Sequence, residues 1–485
     1  MTAREENEEH PAIRRTAVVV VHGMGEQLPL ETLHRFVRSA LPKVSGQRKY
    51  YSRPEGITDS FEARRCLAPR VASRHGVIYG QTEFFEYHWS YKMTGNKLTD
   101  MLRTTLRLLV RPPWTAPAGL RGAWVLIWGL IVGFVVLAVT SVRTLEWSVA
   151  GLAALVVGEG LVAVLAVRVL HLLGNTVTKT FVDVVRYLDT SPRSYAVRRD
   201  VRAGMIELLR GLHDKGRYHR VVIAAHSLGA YIAYDALAYL WPDLCNLHEG
   251  PVSDTKAATW PEAEAVEDAA EVLFDKRTAA TVDPAALDAY QDAQFALWQS
   301  LRSRGNPWLV TDLVTFGTPM YFADLLYTKN RKEFDAAKRI AQFPTCPPRR
   351  GSQIVEGKDL GVGRYTWDNR GRRVLTHSAP YAVVRWTNLF YPVRYGFFGD
   401  WFGGPLRPLF GTGIRDRAVL GNKPGRLIPG VAHGKYLSYP DEDGADDFAP
   451  MLREALQLHL EDELDASLHA PDPDPETNLV KGDRS

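Results

Sequence analysis

Cysteine is scarce in this chain of 485 residues. Cys66, Cys245 and Cys346 lie far apart, without metal-ligand spacing and too few for a disulfide framework. A small stapled domain is excluded, and a reducing compartment is the default. Charge of one sign is missing too: 59 Lys and Arg face 55 Asp and Glu, a formal net charge of +4. No basic stretch is interleaved with aromatics, so no nucleic-acid partner is expected. No internal repeat points to a solenoid. The first residues are polar and acidic, without the apolar region of a signal peptide. What remains is 46% hydrophobic and 24% charged, the balance of a folded protein with one large core or two ordinary ones.

The most informative stretch runs Arg220-Val221-Val222-Ile223-Ala224-Ala225-His226-Ser227-Leu228-Gly229-Ala230-Tyr231. An apolar run leads straight into a helical pattern, which leaves room only for a tight turn lined by small residues, here Ala225 and Gly229. Such a turn raises the Ser227 hydroxyl above the sheet edge and aims the first helical amides at a reacting carbonyl oxygen. Ser227 reads as a nucleophile, with the Leu228 amide as one oxyanion donor. This pentapeptide resembles the nucleophile elbow of the α/β-hydrolase family, G-x-S-x-G, with alanine for the first glycine.

A second β-branched run, Thr16 to Val21, ends in His22-Gly23-Met24-Gly25-Glu26-Gln27. It is similar to the family's oxyanion loop (His22, Gly23, Gly25), and that resemblance assigns the second oxyanion amide to Met24. The family orders its triad as Ser, acid, His. Among later histidines His433 fits best, on a loop after the expected short strand that begins at Arg426. His377 is the rival, but it precedes the strand expected over Tyr381 to Leu389. The acid is read as Asp400, the first carboxylate past that strand. Asp312, inside the strand Trp308 to Phe316, and Asp324 are the alternatives.

Long uncharged apolar runs form the other major feature. Gly122 to Val142 has bilayer-spanning length with tryptophan at its start, and Trp147 to Gly174 follows after a four-residue linker. Together they predict a transmembrane hairpin. Arg103, Arg107, Arg111 and Arg121 before it, and Arg168, Lys179 and Arg186 towards and after its end, place both flanks in the cytoplasm. Leu98 to Val110 reads either as a helix lying on the headgroups or as a solvated one. Glu159, flanked by glycines within the second run, must be protonated, paired or turned to another helix. A homo-oligomer contact through the hairpin is the reading adopted.

The expected fold class is α/β: a mostly parallel, doubly wound sheet of the α/β-hydrolase fold with an inserted two-helix transmembrane hairpin and an acidic helical insertion. Residues 1–15 form a polar tail, 16–121 the first hydrolase part and juxtamembrane segment, and 122–174 the hairpin. Residues 175–248 carry the elbow, 249–306 the insertion and potential lid, 307–461 the acid and histidine, and 462–485 a disordered tail. Further scaffold is expected in a strand over Glu83 to Trp89, a helix over Arg198 to Leu212, and a hairpin turn at Asn369-Arg370-Gly371. The aromatic cluster Tyr391, Tyr395, Phe397, Phe398, Trp401 and Phe402 reads as core, with an acyl-chain pocket or a face dipping into the bilayer surface as the alternatives.

The resemblance is to the intracellular lipase and phospholipase branch. It implies a two-pass membrane serine hydrolase cleaving a carboxylic ester, with a lipid substrate and the bilayer as partners and with no metal or cofactor. A thioesterase or peptidase on the same triad is an alternative, as is an inactive membrane interaction module.

Overall fold

The computed structural model describes residues 14–23, 29–41, 50–54, 56–57, 64–68, 71–72, 78–93, 121–122, 124–125, 128–129, 132–133, 135–136, 184, 187–188, 192–247, 260–275, 282–328, 330–349, 354–355, 358–359, 365–369, 372–395, 398–420, 432–437 and 448–458. Its strands are β1 (Arg14–Val21), β2 (Tyr51–Pro54), β3 (Arg64–Leu67), β4 (Val71–Ala72), β5 (Ile78–Tyr87), β6 (Arg220–His226) and β7 (Val310–Phe316). The small pairs β8 (Ile354–Val355) with β9 (Lys358–Asp359) and β10 (Thr366–Asn369) with β11 (Arg372–Leu375) follow, then β12 (Arg385–Phe390) and β13 (Arg415–Ala418). Helices are α1 (Glu31–Ala40), α2 (Pro192–Asp214), α3 (Leu228–Leu244), α4 (Pro261–Asp275), α5 (Pro284–Ser303), α6 (Ala323–Leu326), α7 (Arg331–Arg339), α8 (Arg407–Phe410) and α9 (Phe448–Leu456).

One nine-stranded sheet organises the chain, in the order β13-β12-β7-β6-β1-β5-β3-β2, with β4 also on β5. All pairs from β13 to β5 are parallel; β2, β3 and β4 add antiparallel pairs at one side. The class is α/β. Parallel strands are covered on both faces, so β1 and β6 are apolar through their centres, while β7 buries Thr311, Asp312 and Thr315 beside its apolar positions. In β1, Ala17, Val19 and Val21 join the core beneath α2, α3 and α5, while Val18 and Val20 join the one beneath α1 and α9. β6 alternates likewise, Val221, Ile223 and Ala225 against Val222 and Ala224.

Helix boundaries follow from local chemistry. Asp283 caps α5, its carboxylate accepting from the Ala285 amide at 3.2 Å, and Pro284 takes the first helical position, where no amide donor is needed. In α1 the positions Leu33, Phe36, Val37 and Ala40 fall on one face and are buried.

Several expected boundaries shift. Tyr381 and Ala382 belong to a 3-10 turn started by Pro380, and β12 begins only at Arg385; Tyr381 instead stacks on Trp386 and Tyr234. β7 starts at Val310 rather than Trp308, whose indole is used in a T-shaped contact with Trp241. β5 begins earlier than expected and stops at Tyr87, and α2 runs from Pro192 to Asp214. β13 was not anticipated, because Arg415-Asp416-Arg417 reads as polar; charge suits an edge strand. The described part of the acidic insertion, α4 and α5, packs into the main core. Gln294 donates to the Tyr381 and Val384 carbonyls, and Trp298 to the Trp308 carbonyl, so α5 lies at the end of the strands opposite Ser227.

The described positions between 121 and 136 are helical, with Val125, Val132, Val135 and Val136 exposed. Among the described residues no helix is long and apolar enough to cross a membrane. The rest of the expected hairpin, including 147–174 and Glu159, lies outside the described residues, as do 98–110 and 462–485.

Candidate active site

The sheet's order reverses at β1. From it the chain passes to β5 on one side and later to β6 and β7 on the other, so the loops after β1 and β6 part in opposite directions. Such a switch point opens a crevice at the carboxyl ends of the strands. Ser227 stands there, directly after β6. Its φ of 53° and ψ of −120° are unusual for a residue with a side chain and cost on the order of 1–3 kcal/mol. Surrounding bonds hold the turn: the Ser227 amide donates to the Phe316 carbonyl at 3.0 Å, and the Ala230 amide to the Ser227 carbonyl at 3.2 Å. Gly229 makes the close approach that this turn requires, since a Cβ there would lie 2.4 Å from the Val21 carbonyl oxygen.

His433 lies on a 3-10 turn, Ala432–Lys435. Its Nε2 is 2.9 Å from Ser227 Oγ, and its Nδ1 is 3.1 and 3.2 Å from the two Asp400 carboxylate oxygens. All three side chains are buried. Burial alone would raise the Asp400 carboxyl, but the His433 ring, the Phe402 amide and the Tyr436 hydroxyl together hold it below the ordinary carboxylate value. An ionised carboxylate only accepts, so Nδ1 carries the proton. The Nε2 lone pair then faces the serine hydroxyl.

The loop after β1 is described as far as Gly23; Met24 and Gly25 lie outside the described residues. His22 is fully buried and stacked on Trp89. Its Nε2 accepts from the Trp89 amide at 3.2 Å, so its Nδ1 donates to the Gly23 carbonyl at 2.8 Å. Burial depresses its pKa to about 3, and His22 serves as a neutral strut. Gly23 lies close against the serine: a Cβ there would meet His226 Nδ1 at 2.7 Å and Ser227 Cβ at 3.0 Å. Leu228, the first residue of α3, contributes an amide that has no partner within the helix.

The structure therefore brings Ser227, His433, Asp400, Leu228, His22 and Gly23 to one place. The rivals lie apart from it. Asp312 is held by Arg385, at 2.8 and 3.0 Å, and by Arg220 at 3.2 Å. Asp324 belongs to α6, where burial raises its pKa. His377 is exposed beyond β11. Tyr391, Trp401 and Phe402 are buried around the acid, whereas Tyr395 is 94% exposed, and Phe397 lies outside the described residues.

Neither Tyr436 nor His226 was singled out from the sequence. Tyr436 donates to Asp400 Oδ2 at 2.8 Å, and the His226 ring lies 5.2 Å from that of His433. Tyr436 follows the 3-10 turn that carries His433, so the two reach the same carboxylate from one short segment. Burial pushes the Cys66 thiol up to about 11 and those of Cys245 and Cys346 to about 12, so none is a ready nucleophile. Among the described residues no cluster of His, Cys, Asp and Glu is placed to hold a metal ion.

No family model, no curated protein and no solved structure matches this chain. The site's chemistry rests on its own geometry.

Proposed function

We propose that the chain is a serine hydrolase of the α/β-hydrolase fold, held in a membrane by the 122–174 hairpin, that cleaves carboxylic esters of lipids or phospholipids. One observation carries the reading: Ser227, strained at the mouth of a helix, sits 2.9 Å from an imidazole that is itself 3.1 Å from a buried carboxylate. A purely structural serine would gain nothing from so costly a backbone.

In this reading Ser227 Oγ attacks the ester carbonyl as His433 Nε2 takes its proton. Asp400 keeps the ring in the required tautomer and stabilises the imidazolium. Charge on the carbonyl oxygen falls to the amides of Leu228 and, by resemblance, Met24. His433 then protonates the departing alkoxide, and water, activated by the same imidazole, hydrolyses the acyl-enzyme. Ser227 is buried in the structure, beside His433 and Asp400. A catalytic domain facing the cytoplasm, tethered beside a bilayer, has a pool of apolar esters within reach.

A fluorophosphonate probe tests the chemistry. Labelling of the native chain that vanishes in Ser227→Ala is the expected result; equal labelling of both would end the proposal. Panels of glycerolipids, phospholipids and thioesters then rank acyl substrates. Anchoring is tested by alkaline carbonate extraction of membranes, in which the full chain should stay in the pellet. Its appearance in the supernatant would remove the membrane part.

A further inference from the structure

Tyr436 bonds the Asp400 carboxylate at Oδ2, which lies 3.2 Å from His433 Nδ1 as well. Its hydroxyl oxygen is 2.8 Å from Asp400 Oδ2 and 3.0 Å from the Tyr391 backbone nitrogen. An amide nitrogen only donates, so it occupies a lone pair of the phenol oxygen, and the phenol proton is directed to Oδ2. The ring cannot swing away. It is 1% exposed, stacked on Tyr391 at 4.3 Å and set edge-on to Phe448 at 5.4 Å. The other oxygen, Oδ1, receives the Phe402 amide at 2.8 Å and His433 Nδ1 at 3.1 Å. Proton direction is thereby settled from Tyr391 through Tyr436 to Asp400, and from His433 to the same carboxylate.

We propose that Tyr436 is a positioning residue for the reaction at Ser227: its hydroxyl helps to fix the plane of the Asp400 carboxylate and draws charge to Oδ2, which sets how strongly the carboxylate holds His433. The inference rests on the hydrolase reading above. It has an orientational and an electrostatic consequence. Without the phenol the carboxylate is held by the Phe402 amide and His433 alone, its plane is less firmly fixed, and proton transfer from Ser227 slows. A carboxylate with one donor fewer also attracts the imidazolium more strongly, so His433 becomes more basic and the acid limb of the rate profile moves to higher pH. Among the described residues, the titratable groups facing this triad from neighbouring elements are His226 of β6 and the phenols of Tyr391 and Tyr436; the Lys435 ammonium is exposed. Burial keeps His226 near 3 and Tyr436 well above its usual value, so neither titrates within the profile.

The test is steady-state hydrolysis of a p-nitrophenyl ester by the full chain in detergent. Tyr436→Phe should lower kcat about tenfold with KM nearly unchanged, and should move the acid limb upward by about half a pH unit. In an Asp400→Asn background the same substitution should alter kcat by less than about twofold, because its only route to Ser227 has been removed. Equal losses in both backgrounds, or an unmoved limb, overturn the role. Should Tyr436→Phe fail to fold, 3-fluorotyrosine at position 436 keeps the packing with a stronger donor. The limb should then move down, and an unmoved limb again overturns the role. A native chain without Ser227-dependent turnover refutes the hydrolase reading and this inference together, whereas such turnover with an indifferent limb refutes the inference alone.

Discussion

Replacing Gly229 by alanine would normally be expected to help a helix, by up to about 1 kcal/mol. Here it should do the opposite. A Cβ at 229 would stand 2.4 Å from the Val21 oxygen, 2.7 Å from the His22 oxygen and 2.9 Å from the Val21 carbonyl carbon. Ordinary contacts begin near 3.4 Å, so the mouth of α3 and the end of β1 must separate by about 1 Å. Every obstructing atom is backbone, and no rotamer change can relieve it. Overpacking of this kind costs about 1–3 kcal/mol or more, which outweighs the propensity gain. The displaced elements also carry Ser227 and the loop at Gly23, and a shift of about 1 Å in reacting groups slows chemistry about a hundredfold. Denaturant midpoint and the second-order rate of fluorophosphonate labelling should therefore both fall in Gly229→Ala. Gly434→Ala, where an added Cβ meets nothing within 4 Å, is the control and should leave stability unchanged. A Gly229→Ala chain with native midpoint and native labelling rate would refute the account of the elbow.

Two further perturbations separate chemistry from scaffold. Asp400→Asn should cost on the order of 10³–10⁴-fold in kcat with a small change in melting temperature, since it removes the tautomer-setting charge but little packing. Asp312→Asn should do the reverse, losing about 3–5 kcal/mol of stability by stranding Arg220 and Arg385, with labelling per folded molecule unchanged. Exchange of these two phenotypes would reassign the acid. Glu86 supplies a pH test: burial pushes its carboxyl from 4.5 up to about 7, although the Leu30 amide, donating at 2.6 Å, opposes the rise. The folded state then holds a proton that the unfolded chain has already released. Its stabilising contribution is complete below about 4.5 and is lost as pH rises through 7, by roughly 3 kcal/mol in all. Urea denaturation of native and Glu86→Gln chains at pH 5 and pH 8 should show that difference in the native chain alone; parallel losses would discount it.

Much of the sheet was legible because buried parallel strands leave a plain mark. The runs ending at Val21 and His226 are apolar on both faces, the run ending at Phe316 is so apart from Asp312 and two threonines, and turn residues bound all three. Where packing overrules pattern, the reading failed. Tyr381 looks like strand by composition, yet Pro380 turns the chain and the aromatic ring serves the core instead. β13 carries charge along its length because it lies at an edge, and its Asp416 accepts the Leu406 and Arg407 amides rather than pointing to water. Of the site, residue types and chain order could be read. The pairing of Asp400 with Tyr436 could not, since it depends on a loop of 36 residues closing on itself.

Buried carboxylates occur at both ends of the central strands, in unlike surroundings. Asp312 faces two guanidinium groups, permanent cations that neutralise it whether or not anything is bound. Asp400 faces an amide, a phenol and an imidazole rather than a permanent cation. Its charge is tolerated but not balanced. In the proposed reaction the balancing cation forms only when His433 accepts a proton from Ser227, on the way to the acyl-enzyme. A field that is incomplete in the ground state and complete in the transition state lowers the barrier between them, whereas one that is complete throughout only stabilises the fold. Charge-neutralising substitutions at these two aspartates should therefore diverge, one in rate and the other in stability, although both carboxylates are equally hidden from water.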